Sequence, residues 1–191
     1  MPIELLEIYI PFLIGYEGTL AELKRKPPAN ATKGGDPLTK RYGITWDLFS
    51  KTGDIHGKPE VYESFLTIKI EDVIKIVNHY WMVVNNDKAD TPIGIKLALI
   101  DFCLSRKIVI NDGKPVFKDN EVTSVIKKCY ESINDLEPSS NEYYQALLQK
   151  IMLFRRKIMK DYIDVADKQY DNNDIAKVTQ LEQLIINHNL I

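Results

Sequence analysis

Cysteine is scarce in this sequence, occurring only at Cys103 and Cys129, 26 residues apart and without the Cys-x-x-Cys spacing of a redox or zinc motif. That excludes a disulfide-stapled scaffold, and two thiols in apolar helical contexts read as buried core residues of a protein made in a reducing compartment. The three histidines, His56, His79 and His188, never fall at a ligand spacing such as His-Glu-x-x-His, so no metal site is expected. Phosphate-binding loops, dinucleotide fingerprints and serine nucleophile elbows are missing too, and no cofactor is expected. Neither sign of charge prevails: 25 basic against 27 acidic residues give a net charge of −2. No global field would therefore hold the protein on nucleic acid. A run of ~18 uncharged apolar residues, the minimum for a membrane span, does not occur. The leading stretch from Met1 to Gly18 has no basic start or small-residue cleavage site and carries Glu4 and Glu7, so it does not read as a signal peptide.

What remains is ordinary folded protein: 191 residues, 45% hydrophobic and 27% charged, suited to one domain. Ile3, Leu6, Ile10, Leu13 and Ile14 recur at helical spacing, with Pro11 expected to kink that helix or start its second segment, and a stop near Gly15 or Gly18. Residues 19–45 lose the period and fill with Pro27, Pro28, Gly34, Gly35, Pro37 and Gly43, which marks a loop or small β-region. Six basic residues against two acidic ones give that stretch a local net of +4, fitting either a solvated loop or contact with an anionic polymer. Helices are expected at 45–51, at 70–82 with a face of Ile70, Val73, Ile74, Val77 and Trp81, and from Pro92 through Leu104. Residues 108–117 read as two short extended runs around Asp112-Gly113. Helical stripes follow at about 120–134, 140–166 and 174–187. The expectation is a mainly α fold packed around one central helix, with a small β-hairpin or loop region after the first helix.

One constellation could carry chemistry. Glu17 ends the first apolar helix and is followed by a Gly/Pro-rich stretch with Asp36, Thr39 and Thr45. Glycosidic cleavage needs an acid to protonate the leaving oxygen, and a second group to stabilise the cationic transition state or activate water. A carboxyl among Leu13, Ile14 and Tyr16 would be desolvated and would stay protonated near neutrality. On residue type alone, a glutamate at a helix end is more often a solvated residue.

The order of motifs adds to this. Glu17-Gly18 after an apolar helix, then Gly34-Gly35-Asp36-Pro37-Leu38-Thr39-Lys40-Arg41-Tyr42-Gly43-Ile44-Thr45, resembles the phage-type N-acetylmuramidases of glycoside hydrolase family 108. Ile76 to Trp81 is similar to that family's Tyr-Trp helix end, Asp101 to the aspartate of its central helix, and Asn111 through Thr123 to the Asp-Gly…Thr stretch of its peptidoglycan-binding region. The matches run in order over roughly residues 10–130. This chain departs from the family pattern at Thr19, Leu20, Leu38 and Cys103-Leu104-Ser105. It also lacks the family's C-terminal Gly-Trp and Asn-Arg signature, where a long helix with Arg155 and Arg156 stands instead.

The resemblance implies a lysozyme-like helical fold, with residues 1–106 as the catalytic region and 107–191 as a helical, peptidoglycan-binding part of the same domain. The implied substrate is the β-1,4 bond between N-acetylmuramic acid and N-acetylglucosamine. Glu17 would be the acid, Asp36 the second carboxylate, and Thr39 or Thr45 the accompanying threonine. A carboxyl separation of about 5–5.5 Å would give retention, and one of about 6.5–9.5 Å, the spacing expected here because it leaves room for a water, would give inversion. Tyr42 and Trp81 could stack on sugar rings or be rim and core aromatics, and Asp101 could line the cleft or be a hydrogen-bonded core residue. The expected protein is a monomer acting on peptidoglycan. It would accumulate in the cytoplasm and reach the wall by a holin-type or dedicated export route. The alternative is a catalytically inactive relative that binds wall glycan or a protein partner.

Overall fold

The computed structural model describes residues 1–16, 40–50, 52–87, 91–105, 109–111, 114–116, 128–138, 140–163 and 172–191. These make a mainly α protein. Helix α1 (Ile3–Tyr16) leads to strands β1 (Lys40–Arg41) and β2 (Ile44–Thr45), and three short helices follow: α2 (Trp46–Phe49), α3 (Gly53–His56) and α4 (Tyr62–Leu66). Then come α5 (Ile70–Asp87), α6 (Ile93–Ser105), the paired strands β3 (Val109–Asn111) and β4 (Lys114–Val116), a helical turn α7 over 128–131, α8 (Asn141–Ile163) and α9 (Asn172–Asn187). Among the described residues no helix is long and apolar enough to cross a membrane.

Contacts divide the chain into two compact units, residues 1–83 with 103–115 and residues 84–102 with 116–191. The expected division at 106/107 falls outside the described residues. In the first unit α1 buries Leu5, Tyr9, Ile10 and Leu13. This face is rotated from the expected one: Ile3 is 70% exposed, and Leu6 and Ile14 are half-buried. The reason is that α1 is apolar nearly all round, so its period left the inward side undetermined. Nor does Pro11 break the helix, which runs unbroken from Ile3 to Tyr16 with Pro11 on its exposed side. Helix α5 turns Val73, Ile76, Val77, Tyr80 and Trp81 inward, while Ile70 sits exposed in its first turn. Asp72 fixes that start: its Oδ2 accepts from the Lys69 amide at 3.0 Å and meets Lys58 Nζ at 3.2 Å, a side chain at the third helical position reaching back to the cap.

Helices α3 and α4 carry no readable period because each is about one turn long. Their place is set by aromatic packing. The Trp46 ring stands edge-on to Tyr62 at 5.4 Å and near Phe65 at 5.7 Å, and Phe49 stacks flat on His56 at 4.0 Å. His56 Nε2 lies 3.1 Å from the Phe49 carbonyl and Nδ1 accepts from the Lys58 amide, so both ring nitrogens are engaged.

Helix α6 is apolar apart from Lys96 and Asp101, and residues 94–104 are buried without a break, as expected of a helix with no solvent face. In the second unit α8 contributes Leu147, Leu148, Ile151 and Met152 to the core, and α9 contributes Val178, Leu181 and Ile185. An ion pair between Arg156 Nη1 and Glu182 Oε2 at 2.7 Å ties these two helices at their rim. Gly94 opens α6 where the end of the chain crosses it. Its amide donates to the Leu190 carbonyl at 2.8 Å, and any Cβ there would lie 2.5 Å from Ile185 Cγ2.

Candidate functional site

Glu17, Asp36 and Thr39 lie outside the described residues, and two described segments flank them in the sequence. On one side is the last turn of α1. On the other is the hairpin formed by β1 and β2, whose register pairs Lys40 with Thr45 and Arg41 with Ile44. A two-residue loop, Tyr42-Gly43, therefore makes the turn. Both residues take positive φ, 50° and 79°, the pattern of a type I′ turn, whose twist matches that of the flanking strands. Glycine accepts this at no cost, but a tyrosine in that region is strained.

Gly43 is also where the hairpin meets α1. A Cβ placed on it would lie 2.6 Å from Leu13 Cδ1 and 3.1 Å from the Leu13 carbonyl oxygen. The backbone of the turn thus rests directly on the helix that leads into Glu17. Arg41 holds the turn from the other direction: its Nε donates to the Ile68 carbonyl at 3.2 Å, and its guanidinium lies over the Tyr42 ring, 5.1 Å from the centroid.

Thr45 is 6% exposed and caps α2. Its backbone is extended (φ −79°, ψ 154°), and Oγ1 accepts from the Leu48 amide at 3.1 Å. Tyr42 is half-buried. Trp81, on the inward side of α5, is 8% exposed. Tyr42, Thr45 and Trp81 belong to the first unit, with Tyr42 and Thr45 on the same hairpin.

Asp101 belongs to the second unit and is wholly buried. Its Oδ2 meets Arg155 Nη2 at 2.6 Å and its Oδ1 meets Lys177 Nζ at 3.3 Å. Arg155, also 0% exposed, stacks over Phe102 at 5.4 Å. The sequence pattern points to Arg155 only as part of the long helix that replaces a family signature, and does not point to Lys177. The available signal was a charged residue, Arg155, four positions after Ile151 on the apolar stripe of α8.

Burial shifts several titrating groups. It pushes the Asp72 carboxyl up, but the Lys69 amide and the Lys58 and Lys75 ammonium groups outweigh it and hold Asp72 below its ordinary value. Desolvation lowers His79, whose Nε2 is buried without a hydrogen-bond partner among the described residues. It raises the Tyr80 phenol and the Cys129 thiol. Among the described residues no three His, Cys, Asp or Glu side chains converge as a metal site would require. A cavity of about 260 Å³ lies within the second unit between α8 and α9, with Leu148 and Ile185 lining it beside Gln145, Gln149 and Asn189.

Compared with known proteins, the chain matches no family model, no curated protein and no solved structure.

Proposed function

We propose that this chain is a peptidoglycan hydrolase of the N-acetylmuramidase type, cleaving the β-1,4 bond between N-acetylmuramic acid and N-acetylglucosamine with Glu17 as general acid. The supporting observation is the seat of Gly43 on Leu13. It joins the two halves of the sequence pattern, the apolar helix running into Glu17 and the Tyr-Gly-Ile-Thr turn, through a contact that only glycine permits. Glu17 follows Leu13 by four positions in the sequence, and the hairpin carries Tyr42, an aromatic of the kind that packs on sugar rings. Asp36 is the candidate second carboxylate, and a holin-type or dedicated export route would bring the protein to the wall.

A second reading, glycan binding without cleavage, draws on Thr45 and Asp101. The hydroxyl of Thr45 is engaged as a helix cap and the carboxylate of Asp101 in a buried ion cluster. Digestion of purified peptidoglycan separates the two. Wild type should release new reducing ends at muramic acid residues, and Glu17→Gln should lose at least about a hundredfold in rate, the contribution of a positioned general acid. No release by wild type would remove the hydrolase reading, and an active Glu17→Gln would remove the assignment of the acid.

A further inference from the structure

We infer that the cavity between the start of α8 and the end of α9 is a binding site for a small organic cation, a primary ammonium on an apolar body of roughly ten non-hydrogen atoms in all, with Glu182 taking the charge. The size follows from the volume, about 260 Å³ against the ~150 Å³ that holds a benzene ring. The site lies wholly within the second unit and does not rest on the muramidase reading.

The walls of the cavity are graded. Leu148 and Ile185 form a buried floor, while Gln145, Gln149 and Asn189 stand exposed at the rim. Such a floor takes an apolar body and such a rim a polar head, the division found in pockets for small amphipathic molecules. The rim amides can donate or accept, so they do not choose the sign of that head. Glu182 does, as the one charged side chain lining the cavity among the described residues. Arg156 Nη1 holds one of its oxygens at 2.7 Å, which fixes the group in place, and a carboxylate with about four acceptor sites keeps room for a second donor. The end of α9 acts in the same direction. Ile185 and Ile186, in its last turn, line the cavity where the helix carries the negative end of its dipole. The opposite, positive end of α8 counts for less, because Gln145 and Gln149 lie beyond its first turn, where that effect has faded. The wall is also preformed. α9 closes with Asn189 at φ 55°, its amide donating to the Ile186 carbonyl at 3.0 Å and the Leu190 amide to the Ile185 carbonyl at 3.1 Å, while Gly94 anchors the Leu190 carbonyl. A ligand therefore meets little ordering cost on entry.

The test is an NMR titration of the full chain with phenethylamine, with the neutral 2-phenylethanol and with the anionic phenylacetate, which share a benzyl group and differ in the charge of the head. Phenethylamine should shift the amide resonances of residues 145–149 and 182–190 and bind about tenfold more tightly than the alcohol, as a hydrogen bond to a charged group provides, with phenylacetate weakest. Glu182→Gln should bring the amine and the alcohol to equal affinity. Arg156→Gln, which removes the competing cation, should leave the preference intact or enlarge it. Ile186 is 52% exposed, so Ile186→Trp should keep the melting temperature while blocking all three compounds at the mouth of the cavity. Absence of phenethylamine binding, shifts confined to other residues, phenylacetate bound as tightly as the amine, or an amine preference that survives Glu182→Gln would each overturn the inference.

Discussion

Asp101 and Arg155, 54 residues apart, meet through a 2.6 Å charge-assisted hydrogen bond with both side chains wholly removed from solvent, and Lys177 closes on the other carboxylate oxygen. Two cations share one carboxylate in the core of the second unit, so removing Asp101 takes that charge partner from both. Asp101→Ala should therefore cost about 3–5 kcal/mol of stability, the penalty for leaving buried charge unmatched. Arg155→Met should cost less, because Lys177 still pairs Asp101. Urea denaturation of both variants checks the order; an unaltered midpoint for Asp101→Ala combined with lost glycan binding would instead assign Asp101 to the cleft.

Gly43→Ala meets two obstacles at once, a φ of 79° and the side chain of Leu13. The expected destabilisation is about 2–5 kcal/mol, the sum of a left-handed backbone penalty and overpacking. Pairing it with Leu13→Ala should recover only the overpacking part. Thermal melts of the two single variants and the double variant test this, and full additivity would argue against direct contact.

Thr45→Val removes the cap of α2 while keeping the shape of the side chain, and should lower stability by about 1 kcal/mol. Thr45→Ser should be near neutral. If Thr45→Val leaves the melting temperature unchanged but abolishes activity, the hydroxyl acts in chemistry and not as a cap.

Acid should weaken the fold in two steps. His79 is lowered from 6.5 by burial, so below that value the unfolded chain takes up a proton the folded chain resists. Its contribution is complete above pH 6.5 and declines as pH falls through the lowered folded value. Asp72 is lowered from 3.8, so its contribution is complete above that pH and is lost as pH falls through its own folded value. Denaturant midpoints measured from pH 7.5 to 3 should show both steps, and His79→Gln should flatten only the upper one.

The sequence by itself determined that the protein is mainly α and where the longer helices lie. Apolar residues every three or four positions from 70, from 92, and along about 140–166 and 174–187 demand a buried face whatever surrounds them. It also marked the turn after the first helix by composition, since Gly43 at positive φ is a local requirement. The tertiary structure decided what local pattern leaves open. Which side of α1 faces inward depends on what packs against a helix apolar all round, and α3 and α4 exist because Trp46, Phe49, Tyr62 and Phe65 gather there. The roles of Thr45, Arg41 and Asp101 belong to the same class. As letters, each could have lined a cleft; a hydroxyl's, a guanidinium's or a carboxylate's chemistry is set by its neighbours, and for Arg41 and Asp101 those neighbours are distant in the chain.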